Sequence, residues 1–115
     1  MTDIKRGDIW MVNLDPTIGH EIKKRRLGLI IQNDIGNKYS QITIVAPITS
    51  QHIEKIYPIE VLLTEGCLEK DSKVLLNQIR AIDKIRLVKK LGRIKPETIH
   101  LVDEALKISL GLAPL

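Results

Sequence analysis

Short runs of alternating or continuous apolar residues, broken by turn-forming residues, dominate the first ninety positions and predict strands. Asp8 to Leu14 alternates into a first strand that ends at Asp15-Pro16, a turn signal. Thr17 to Arg26 (TIGHEIKKRR) is polar and charged with no apolar period, and reads as a long loop. Leu27 to Gln32 is a continuous apolar run of the kind buried on both faces, followed by the punctuation Asn33-Asp34 and Gly36-Asn37. Gln41 to Ile48 is β-branched and apolar. Pro47 near its end suggests an edge or terminal position, because Pro lacks a donor for the ladder. Ile59 to Leu63 and Lys73 to Ile82 supply two more strands around a turn centred on Gly66. In Arg86 to Ile94, Leu87, Lys89 and Leu91 fit one strand face better than a helix stripe.

The period changes after Pro96. Ile99, Val102, Ala105, Leu106 and Ser109 recur at spacings of three and four, which predicts an amphipathic helix. Pro96 suits its first position, Glu97 suits the positive end of its dipole, and Gly111 and Pro114 end it. Five to seven short strands followed by a terminal helix imply a mainly β, α+β protein: a small, strongly curved SH3-like barrel with one helix. At 115 residues the chain has room for a single domain, 1–115.

Composition narrows the chemistry. One cysteine, Cys67, excludes an internal disulfide framework and a Cys-based zinc site. The three histidines, His20, His52 and His100, are scattered without ligand spacing, so no metal is expected. Phosphate-cradling glycine motifs are missing, which disfavours nucleoside triphosphate and dinucleotide chemistry, and no cofactor is expected. There is no apolar leader at the start. The longest apolar stretch, Leu27 to Ile31, is far short of the ~20 residues that span a bilayer, so a cytoplasmic protein without a membrane partner is expected.

The net charge of +4 is unevenly placed: residues 1–95 carry 17 basic and 11 acidic side chains, whereas 96–115 carry one and three. Lys23 to Arg26 is an unbroken basic run, and Lys84, Arg86, Lys89, Lys90, Arg93 and Lys95 form a second cluster. Each is either a solvated face or a surface that attracts phosphate. With three aromatic residues in the whole chain, ring stacking is a poor candidate for holding bases.

Six ordered blocks carry a family resemblance. They are K-R-G-D-I-W (Lys5 to Trp10), L-D-P-x-x-G-H-E (Leu14 to Glu21), R-x-x-L-I-I-Q-N-D-I-G-N (Arg26 to Asn37), A-x-I-T (Ala46 to Thr49), D-S-x-V-L-L-x-Q-I-R-x-I-D (Asp71 to Asp83) and V-D-E-A-L-x-I-S-L (Val102 to Leu110). Together they resemble the MazF/PemK family of toxin endoribonucleases. The resemblance implies a homodimeric, metal-independent enzyme that cuts single-stranded RNA and is neutralised by an antitoxin with an acidic, flexible segment. It implies attack by the substrate's own 2′-hydroxyl, giving 2′,3′-cyclic phosphate and 5′-hydroxyl ends, with Arg26 and Thr49 at the reacting phosphate. An Arg presents a planar fork of donors to phosphate oxygens, and a Thr presents one hydroxyl to the same group. His20, Glu21, Lys24, Arg25, Asn77 and Gln78 are the RNA-binding candidates. Gln78 and Arg80 fit a polar barrel face as well as they fit contact with RNA.

In one respect the chain departs from the family, which commonly has Pro directly after the Arg where this chain has Leu27. Two other readings stay open. One is a non-enzymatic poison of DNA gyrase on the same fold, as in CcdB, which relies on a C-terminal Trp-Gly-Ile where this chain ends Leu-Ala-Pro-Leu. The other is a catalytically inactive RNA-binding barrel.

Overall fold

A computed structural model describes residues 3–14 and 25–115. It contains seven strands: β1 (Asp8–Asn13), β2 (Arg25–Ile30), β3 (Ile42–Thr49), β4 (Glu60–Leu63), β5 (Ser72–Leu75), β6 (Arg80–Asp83) and β7 (Leu87–Arg93). Two helices complete it, α1 (Asp34–Tyr39) and α2 (Pro96–Ser109). Every strand pair is antiparallel, in the order β4-β5-β3-β2-β1-β7, with β6 also on β3. The sheet is curved and unclosed, in keeping with the expected small barrel and terminal helix.

The strands bury both faces, which is why several read as nearly continuous apolar runs. Ile9, Leu29, Ala46 and Ile48 pack one face against Val61, Leu63, Val74 and the helix residues Val102 and Ala105. Their sequence neighbours Trp10, Ile30 and Val45 join Val12 and Ile82 on the other face. Helix α2 follows the predicted stripe: Val102 and Ala105 are buried, and Ile99 and Leu106 pack on the first cluster. The Ser109 hydroxyl donates to the Leu76 carbonyl at 2.8 Å. The helix ends in a Schellman motif, with Leu112 N–H bonded to Lys107 O, Gly111 N–H bonded to Ile108 O, and Gly111 at φ +75°.

Five expectations are corrected. Asn33 to Asn37 is the start of helix α1, not loop punctuation. The Asn33 side chain accepts from the Gly36 N–H at 2.8 Å, an N-cap that also serves as a turn signal in sequence. The polar loop stops before Arg25, because Arg25 and Arg26 pair with Asn13 and Val12 in the β1–β2 ladder. Strand β3 is central and not an edge, with β2 on one side and β5 and β6 on the other. The expected strand Lys73 to Ile82 is two strands, and Asn77 and Gln78 lie in the turn between them. Finally, Leu87 and Leu91 do not share a face. The β1–β7 register skips Val88 and Leu91, so Leu87 packs on the second cluster and Leu91 on the first.

Candidate functional site

Strands β2 and β3 place the two central residues. Gly28 pairs with Pro47, and two positions further along each strand Arg26 and Thr49 project from that same face by alternation. Both line one open cleft of about 390 Å³, together with Arg25, Ser50 and Gln51, over a floor of Leu27 and Ile48. Arg25 and Arg26 are exposed, and among the described residues neither meets a carboxylate within ion-pairing distance. The Thr49 Oγ1 accepts from the Gln51 N–H at 3.1 Å. That contact fixes the oxygen and leaves the hydroxyl proton to donate into the cleft. The arrangement is two guanidiniums without a carboxylate partner among the described residues, beside a directed hydroxyl at a strand end, which suits an anion with several oxygens.

The connection that follows Thr49 is secured from below by a buried ion pair. Lys73, opposite Thr49 in the β3–β5 ladder, reaches the Glu60 carboxylate at 2.9 Å and the Lys55 carbonyl at 3.3 Å. Glu60 also accepts from the Tyr57 N–H at 3.1 Å. Burial alone would raise the Glu60 pKa, but the Lys73 hydrogen bond, the Tyr57 N–H and the Lys73 charge outweigh it and hold the carboxyl below its ordinary 4.5.

Most of the second basic cluster is committed to the fold. The Lys84 ammonium donates to the Asn37 carbonyl, and Arg86 donates to the Asn13 carbonyl at 3.3 Å. Lys90 and Arg93 approach the fully buried Asp8 at 3.5 and 3.8 Å. Lys89 and Lys95 are exposed. Asn77 and Gln78 are exposed in their turn and do not line the Arg26–Thr49 cleft. His20, Glu21 and Lys24 lie outside the described residues. Gln51 and Ser50 went unnoticed in sequence. Their one signal is that they directly follow Thr49. Among the described residues no three His, Cys, Asp or Glu side chains are grouped to hold a metal ion. Nor is any helix among them long and apolar enough to cross a membrane.

A curved antiparallel sheet with a terminal helix, bearing an open cleft lined by two arginines and a strand-end Thr, defines a small, mainly β protein. Comparison with known proteins identifies it further: the chain belongs to the family of PemK-like, MazF-like toxins of type II toxin–antitoxin systems, whose model matches residues 5–110. It is 45% identical over 111 residues to Endoribonuclease EndoA of Bacillus subtilis (strain 168), covering 95% of this chain and 96% of that one. It also resembles the crystal structure of MazE-MazF (Form-II) from Deinococcus radiodurans, with TM-score 0.83 and 25% identity over 98% of this chain and 100% of that one. An endoribonuclease from Mycobacterial species shares the fold at TM-score 0.80 and 21% identity, covering 100% of this chain and 98% of the other.

Proposed function

We propose that the protein is a sequence-specific endoribonuclease toxin that cuts single-stranded RNA, inhibits translation and growth, and is held in check by a cognate antitoxin. The observation that carries this reading is the shared cleft of Arg26 and Thr49, on adjacent strands of a chain that belongs to the MazF/PemK-like toxins. The 45% identity to an endoribonuclease along nearly the full length of both chains supports the same activity here. The whole chain acts as one toxin domain, as a homodimer, in the cytoplasm where messenger RNA is found.

Chemically, the 2′-oxygen of one nucleotide forms a bond to the adjacent phosphorus while the bond from phosphorus to the 5′-oxygen breaks. The proton lost from the 2′-hydroxyl is balanced by one gained at the 5′-oxygen, leaving a 2′,3′-cyclic phosphate and a 5′-hydroxyl. Arg26 stabilises the charge that builds on the non-bridging oxygens, and the Thr49 hydroxyl donates to the same group. Arg25, Lys24, His20, Glu21, Asn77 and Gln78 contact the bases and backbone on either side. Leu27 stands where the family commonly has Pro, so β2 enters the sheet without that restraint on its backbone. A partner antitoxin with an acidic flexible segment is complementary to the uncompensated arginines and to the Lys23 to Arg26 run. MazE-MazF complexes from Deinococcus radiodurans are the structural precedent for such a pairing.

The test is end-group analysis of RNA incubated with pure protein in EDTA. Cyclic phosphate and 5′-hydroxyl ends at a defined short sequence are expected. Arg26→Ala is expected to lower cleavage at least ~100-fold, the scale of losing a transition-state donor, with an unchanged circular dichroism spectrum. Undiminished cutting by Arg26→Ala would sink the assignment.

A further inference from the structure

The chain has six arginines, and the fold treats them in two ways. Three are tied to protein acceptors: Arg6 to Asp103 and the Ile31 carbonyl, Arg86 to the Asn13 carbonyl, and Arg93 to Asp8 and the Arg6 carbonyl. The other three, Arg25, Arg26 and Arg80, have no ion-pair or hydrogen-bond partner among the described side chains and carbonyls. All three lie on two adjoining hollows. Arg25 and Arg26 line the cleft with Thr49, while Arg26 and Arg80 line a second, smaller one.

That second hollow is built by the sheet itself. Arg80 pairs with Val45 across β3–β6, and Gly28 pairs with Pro47 across β2–β3. Between the two arginines the face therefore carries Val45, Pro47 and a glycine without a side chain, walled by Val12 and Leu14. A Cβ at Gly28 would meet Val12 Cγ2 at 3.1 Å and Val45 Cβ at 3.5 Å, so the glycine keeps this strip low. The hollow is about 20 Å³, room for roughly one water and not for a base. Strand spacing and rise put the Arg26 and Arg80 Cα atoms about 16 Å apart, with both side chains on one face. Rooted that far apart, on opposite sides of the strip, the two guanidiniums can engage different phosphates.

We propose that Arg80 is a second anchor for the RNA backbone, binding a phosphodiester other than the one at Arg26 and so fixing the path of the strand across β2, β3 and β6. The proposal rests on the ribonuclease reading for its substrate. An unpaired guanidinium on a rigid strand is suited to bidentate phosphate contact, and each phosphate neutralised releases counterions.

The experiment measures binding of a fluorescent mixed-sequence RNA decamer by anisotropy, as a function of salt. The parent is Arg26→Ala, so that the probe is not cut. Adding Arg80→Gln is expected to weaken binding about 5–10-fold and to reduce the slope of log K against log salt by about 0.7, one single-strand phosphate contact. Arg80→Lys in the same background is expected to keep the slope. Lys95→Gln removes the same charge from an exposed site away from both hollows and is the control. Equal effects of Arg80→Gln and Lys95→Gln, or no RNA binding by the parent, would overturn the proposal. If Arg80→Gln acts as expected while the wild-type protein cuts no RNA, the anchor stands and the nuclease reading fails. If RNA is cut with normal ends and Arg80→Gln matches the control, the nuclease reading stands and the anchor fails.

Discussion

Replacing Lys73 with Met removes the ammonium from the most enclosed ion pair of the described residues, with side chains 6% and 10% exposed for Lys73 and Glu60. Methionine keeps the length of the stem, so the change is chiefly one of charge. Glu60 would keep the Tyr57 N–H alone, in a site whose burial already disfavours its ionised form. Breaking a buried pair from one side typically costs about 3–5 kcal/mol. This pair sits at the margin of the core, so about 3 kcal/mol is expected, a large part of a total stability of roughly 5–15 kcal/mol. In a chain of this size that lowers Tm by about 12 °C, at roughly 4 °C per kcal/mol. Urea unfolding at pH 7 should show the loss as a shifted midpoint with an unchanged slope. Glu60→Gln in the Lys73→Met background should recover part of it, with a coupling energy of about 1–3 kcal/mol. The pH dependence has a definite sign. In the wild type the folded pKa of Glu60 lies below its ordinary 4.5, so the pair's contribution is present above that value and is lost as pH falls through the folded pKa. The stability gap between wild type and Lys73→Met should therefore be widest near neutrality and narrow in acid. A gap under ~1 kcal/mol at pH 7, or one that widens in acid, would refute the reasoning.

Two other sites give sharp expectations. Asn37 is 3% exposed and serves four partners, accepting from the Thr43 hydroxyl at 2.7 Å and from the Gln32 amide at 3.2 Å, and donating to the Gln32 carbonyl and to Asp34. Asn37→Ala should cost about 2–3 kcal/mol in urea unfolding, because it strands the fully buried Thr43 hydroxyl. At Gly92 a Cβ would lie 2.8 Å from the Cys67 sulfur and 3.0 Å from its Cβ. Gly92→Ala should cost about 1–3 kcal/mol, and Cys67→Ala in the same chain should return part of it by removing the sulfur while the Cβ contact remains. A double variant no more stable than Gly92→Ala would show that the strain lies elsewhere.

The elements legible in sequence were those whose pattern depends on their own residues. Helix α2 carries its start signal, stripe and stop signal within Pro96 to Pro114, and the strands β1 to β3 carry apolar runs that both faces of the sheet require. What escaped were features set by a neighbour. The faces of Leu87 and Leu91 are decided by two bulges opposite β1, which no alternation within β7 reveals. Helix α1 hides because Asn33, its cap, belongs equally to the vocabulary of turns. The candidate site divides in the same way. Arg26 and Thr49 stood out through a family resemblance, while their common cleft depends on the β2–β3 register. The basic cluster from Lys84 to Lys95 reads in sequence as either a solvated face or a phosphate surface, and only the fold brings Asp8, far away in sequence, to two of its cations.

Pro47 shows how one such long-range feature shapes the site. The segment from Ser72 to Asp83 pairs with one edge of β3 at both its ends, in two registers: Ile48 with Val74, then Val45 with Arg80. Between those pairs β3 contributes two residues, Ala46 and Pro47, and the facing segment contributes five, 75–79. The Ile44 carbonyl accepts from Ile31, so alternation points Ala46 toward β2 and Pro47 toward the facing segment. Pro47 has no N–H to offer there, and the ladder opens at that point. A proline that sequence rules assign to an edge is thus accommodated in a central strand, because its partner leaves the sheet beside it. That departure forms the turn carrying Asn77 and Gln78. It also returns the chain to β3 with Arg80 on the same face as Arg26. The break in one ladder therefore produces both the exposed polar turn and the placement of the Arg80 guanidinium beside Arg26, and a segment that continued unbroken from Lys73 to Ile82 would have neither.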